Sequence, residues 1–69
     1  MYVPGTKFKV GVRISLGDQV FEPGLVGEIV GSVEKMVGKS YMVKFEDGRE
    51  AQIHIVIMNN QTEVIKEEG

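Results

Sequence analysis

Cysteine and tryptophan are absent from this chain, histidine occurs once and proline twice. Without cysteine there is no disulfide and no thiolate metal site, and His54 alone cannot build a histidine-rich one. The net charge is only −2, with acidic and basic residues interspersed. That balance argues against strong nucleic-acid binding, which needs a concentrated basic surface. No apolar run approaches the ~20 residues of a membrane span. Met1 to Lys9 lacks the apolar stretch of a secretory signal, so a cytoplasmic location is expected. Asn60-Gln61-Thr62 matches a glycosylation sequon, which has no meaning without secretion.

Sixty-nine residues allow one domain, taken as 1–69. A chain this short buries only about 60% of its unfolded surface. Its core alone rarely supplies more than roughly 3–5 kcal/mol. With disulfides and metal excluded, self-association or docking onto a protein partner is the expected source of further stability.

What is present is period-two alternation, the signature of half-buried strands. Phe8, Val10, Val12 and Ile14 alternate with Lys9, Gly11 and Arg13 in a first strand. Gly17-Asp18 and Pro23-Gly24 mark turns, so Ser15 to Gly24 reads as a long loop with Val20 and Phe21 plugging the core. In a second strand, Leu25 to Val33, the residues Leu25, Ile29 and Val33 point one way and Val26, Glu28 and Val30 the other. Gly27 and Gly31 interrupt it, as glycines do at bends or close backbone approaches. Glu34 to Ser40 reads as a polar connector.

In the third strand Tyr41, Val43 and Phe45 face in, while Met42, Lys44 and Glu46 face out. Asp47-Gly48 is the strongest hairpin signal in the chain. The fourth strand then places Ala51, Ile53 and Ile55 in, and Glu50, Gln52 and His54 out. Val56 to Asn60 suits a single helical turn. Thr62 to Ile65 is a short last strand, and Lys66 to Gly69 a frayed tail. An all-β domain follows, with five short strands at the spacing of an SH3-like barrel; an OB-fold is the longer-chain alternative. The expected core includes Phe8, Val10, Ile29, Val43, Phe45 and Ile53.

Few residues carry chemistry. Gly38-Lys39-Ser40 resembles the end of a phosphate-binding loop, but Val33 stands where the earlier glycine belongs and a strand follows where a helix is needed. His54 lacks a neighbouring nucleophile and reads as strand surface. Nucleic-acid-binding barrels stack bases on aromatic rings, and here only Tyr2 and Phe21 fall outside the apolar phase of a strand. Met36, Met42 and Met58 could offer an adaptable binding surface. Val26, Val30 and Ile65 also fall on outward phases. An apolar exterior patch of Val26, Val30 and Met42 marks an interaction site.

Two families share short words with this chain. Gly27-Glu28-Ile29-Val30, Val43-Lys44-Phe45-Glu46 and Glu63-Val64-Ile65 resemble the variable chain of ferredoxin–thioredoxin reductase. That resemblance implies a small barrel that binds a catalytic subunit and performs no chemistry itself. Gly27-Glu28-Ile29-Val30-Gly31 followed by Ala51-Gln52-Ile53-His54 resembles the plasmid-borne type B dihydrofolate reductase. That resemblance implies a homotetramer around one pore, with NADPH and dihydrofolate held by Gln52 and Ile53 and with His54 in the position of the family's tyrosine. The leading expectation is a non-catalytic module without cofactor; the reductase and weak nucleic-acid binding are its alternatives.

Overall fold

The computed structural model describes residues 2–65. The tail expected at Lys66 to Gly69 lies outside them. The chain is all-β apart from one short helix. Its elements are β1 (Lys7–Val10), β2 (Ile14–Leu16), β3 (Gln19–Phe21), β4 (Val26–Lys35), β5 (Gly38–Phe45), β6 (Glu50–His54), α1 (Ile55–Gln61) and β7 (Thr62–Val64). β6, β5, β4, β1 and β7 form one five-stranded sheet in that order, and β2 and β3 form a separate hairpin. Every pairing is antiparallel.

Alternation explains the packing. Phe8, Val10, Ile29, Val43, Phe45 and Ile53 are all buried, as expected, and Ile14, Phe21, Tyr41 and Met58 complete the core. Phe45 is central: its ring stacks on Phe21 at 4.2 Å and meets Phe8 edge-on at 5.7 Å. Such geometries match ring quadrupoles and add to area burial. Tyr2 packs edge-on against Tyr41 at 5.0 Å, and its hydroxyl donates to Asn59 Oδ1. The N-terminal arm is thereby pinned to α1. Burial of the Tyr2 phenol, with the Tyr41 hydroxyl nearby, raises its pKa above the usual tyrosine value.

Several sequence expectations change. The first alternating run is not one strand. β1 stops at Val10, because the N–H groups of Gly11 and Val12 both donate to Gln61 O instead of a ladder partner. Val12 is consequently exposed. The expected long loop is itself a hairpin, with Ile14 opposite Phe21 and Leu16 opposite Gln19. Gly17 supplies the positive φ (57°) that two-residue hairpin turns favour. Phe21 does plug the core, while Val20 is only half-buried.

The expected polar connector does not exist either. The β4–β5 ladder runs on to Lys35 opposite Gly38, leaving Met36 and Val37 as a two-residue tip. A bulge between Ile29 and Gly31 inserts one residue into β4. It shifts the phase, so Val33 pairs with Ser40 on the face of Met42 rather than continuing the inward row of Ile29. The helix is longer than a single turn: α1 starts at Ile55 and has seven residues, about two turns. Met58 on α1 is fully buried, not part of an exposed methionine surface. Thr62 caps the helix end by donating its hydroxyl to Met58 O at 2.6 Å.

Candidate interaction surface

The outward phases of β1, β4, β5 and β6 form one face. Cross-strand register lines up Lys7, Glu28, Lys44 and Glu50 in one row and Gly31, Met42 and Gln52 in the next. Opposite charges directly across an antiparallel pair attract, so the first row largely neutralises itself. The second row is apolar at its centre. Met42 is 45% exposed and Val30, thrown out by the bulge, is 53% exposed. Val26 is half-buried at the end of the same face.

Val26 and Val30 line an open groove of about 330 Å³, with Phe45 contributing to its floor and Glu28, Lys44 and Glu46 to its rim. Gly27, between Val26 and Glu28 in the groove lining, turns its side-chain position inward to the core. A Cβ there would lie 2.7 Å from Phe8 Cζ and 3.0 Å from Phe45 Cδ1. β4 therefore sits directly on the two core rings. Val26, Val30 and Met42, expected as an interaction patch, lie on this one face, Val26 and Val30 in the groove and Met42 outside its lining.

The residues Gln52, Ile53 and His54 are not brought to one surface. Gln52 projects outward beside Met42 and is exposed. Ile53 is fully buried, so its side chain has no surface to offer a ligand. His54 is half-buried and both of its ring nitrogens are engaged. Nδ1 accepts from the Val56 N–H at 3.1 Å, capping α1. A nitrogen that accepts carries no proton, so Nε2 holds the hydrogen of the neutral ring and donates to Val37 O at 3.0 Å. His54 thus joins the β4–β5 tip to the start of α1. Gly38 makes room for the ring: its φ is +123° and a Cβ there would lie 2.9 Å from Nε2.

The two rings that might have stacked on bases are also occupied. Phe21 is buried against Phe45, and Arg49 lies over its other surface at 4.4 Å. Tyr2 is held on Tyr41.

Sequence reasoning singled out Met36 but missed that Val37 joins it in an exposed apolar tip. Met36 is fully exposed and Val37 is 78% exposed at the tip of the long hairpin. The available signal was the pair of apolar residues between Lys35 and Gly38, too short for a strand and too apolar for a solvated turn. Compared with known proteins, the chain matches no family model, no curated protein and no solved structure.

Proposed function

We propose that this chain is an SH3-like barrel acting as a non-catalytic interaction module. It binds a protein partner, or a second copy of itself, through the outward face of β4 and β5. The strand order β6-β5-β4-β1-β7 supports the barrel reading, with a hairpin between β1 and β4 and a helix before the last strand. The observation that carries the functional reading is the exposure of Val30 and Met42 on one face with the groove at Val26. Large apolar side chains gathered on a small domain mark a contact site.

Val30→Glu and Met42→Glu test it. Both variants should keep the thermal midpoint within a few degrees of the parent, because both sites are exposed, and both should weaken association. Unfolding of the Met42→Glu monomer would place Met42 in the core and remove the patch.

A second reading, the tetrameric NADPH-dependent reductase, rests on Gln52. Its amide lies beside Met42 on the exposed face, where four copies around a pore would bring four such amides together.

A further inference from the structure

We propose that the partner seated on this face is a second copy of the chain, docked antiparallel so that the Met36-Val37 tip of each copy enters the Val26–Val30 groove of the other. This rests on the interaction-module reading and names its occupant.

Three observations converge. The first is the tip itself. Two apolar side chains, Met36 and Val37, stand exposed at the end of a ten-residue strand and its eight-residue partner. Water-facing turns favour Gly, Asn, Asp and Ser, so apolar residues there need another explanation. His54 holds the tip by its hydrogen bond to Val37 O, so the knob is fixed to the body of the domain before any partner arrives. Binding then loses less conformational freedom.

The second observation is spacing. Counted along β5 and the residue after it, Gly38 beside the tip and Glu46 at the groove rim each lie four residues from Met42, about 13 Å at ~3.3 Å per residue. The Gly31–Met42 row is thus midway between tip and groove. A two-fold axis there would place each tip over the other copy's groove. It would also bring Met42 and Val30 of the two copies together at the centre. The same patch then serves both copies, as an isologous contact requires.

The third is charge. The bulge-shifted register puts Lys35, opposite Gly38, on the face of Met42. Glu46 stands at the groove rim. Neither Lys35 nor Glu46 forms an ion pair among the described residues. Antiparallel docking sets Lys35 of one copy against Glu46 of the other, twice.

The experiment is sedimentation equilibrium on the full chain, with the thermal midpoint of every variant measured alongside. The parent should dimerise reversibly. Met36→Asp should weaken the dimer by at least about tenfold in Kd at an unchanged midpoint. Lys35→Glu and Glu46→Lys should each weaken it, and the double variant Lys35→Glu/Glu46→Lys should restore it, since the two charges have only exchanged sides. A parent that stays monomeric at about 1 mM overturns the proposal while leaving a different protein partner for the face. A dimer lost in Val30→Glu but untouched by Met36→Asp overturns the tip contact and keeps the patch. Failure of the charge exchange to restore association overturns the antiparallel arrangement.

Discussion

At the scale of single residues, two glycines on one strand have opposite roles. Gly27 lies against Phe8 and Phe45 with no room for a Cβ, whereas a Cβ on Gly31 would meet nothing within 4 Å. Neither has a positive φ. Gly27→Ala therefore overpacks a ring cluster that cannot shift cheaply and should cost about 1–3 kcal/mol. Gly31→Ala should be neutral or stabilise by up to ~1 kcal/mol, because alanine restricts the unfolded chain. Urea denaturation of the two variants decides this, and equal losses would mean that Gly27 is not a packing position. Alternation in the sequence revealed the inward rows of β1, β5 and β6, because a strand with one buried face repeats every second residue. It could not separate the two glycines, whose difference depends on rings contributed by β1 and β5. Nor could it reveal that His54 uses both nitrogens, since the Val37 carbonyl lies 17 residues away in the chain.

At the scale of elements, the β2–β3 hairpin is fastened to the main sheet by Ile14 and Phe21, both buried in the core, and by Arg49. Its guanidinium donates from Nη1 to Val20 O at 2.9 Å, covers the Phe21 ring, and is held from behind by Asp47 Oδ2 at 2.8 Å. Arg49→Ala should loosen this hairpin, with a loss of about 0.5–2 kcal/mol from one charged hydrogen bond and one half-exposed cation–π contact. Faster amide exchange at Val20 and Phe21 is the local readout; unchanged exchange there would show that the hairpin is held by its apolar side alone. The hydrogen bond from the Arg49 N–H, assisted by the guanidinium, holds the Asp47 carboxyl below the usual carboxylate range. A native value lowered in this way contributes stability above the unfolded value of about 3.9, and that contribution disappears as pH falls through the native value. Asp47→Asn should therefore lose that contribution at neutral pH and flatten the acid limb of the stability profile below about pH 4, so that the variant and parent converge in acid. The Asp47-Gly48 turn was legible because its residues are the turn's own chemistry. The β2–β3 hairpin was not, because only six strand residues pair. The phase shift in β4 was hidden as well: a bulge reads locally as uninterrupted alternation, and only the partner strand reveals the extra residue.

At the scale of the whole molecule, ten buried apolar residues among those described form one core, and Phe45 touches both the sheet and the hairpin parts of it. A single domain of this size is marginal, so Phe45→Ala, at about 3–5 kcal/mol, should unfold it. Whether the outer face then serves partners or a small-molecule reaction turns on what assembly presents. A convex sheet face holds a ligand only if copies meet around it and make it concave. Gln52 is the one residue of its segment with exposed side-chain amide, able to donate and accept toward a nicotinamide carboxamide or a pterin. Hydride transfer passes between cofactor and substrate directly, so a protein can promote it chiefly by holding the two together. Such a site needs at least two copies with their Gln52 side chains facing one another. The axis of the antiparallel dimer runs along the row of Gly31, Met42 and Gln52, so the two assemblies differ in copy number and in whether a pore is left open. Titration calorimetry with NADPH separates them. Heat at high micromolar NADPH that vanishes in Gln52→Ala, together with a tetrameric mass, would favour the reductase. No heat, with a dimer abolished by Met36→Asp, is the expected outcome, because two copies docked face to face close over Gln52 and leave no pore for a cofactor.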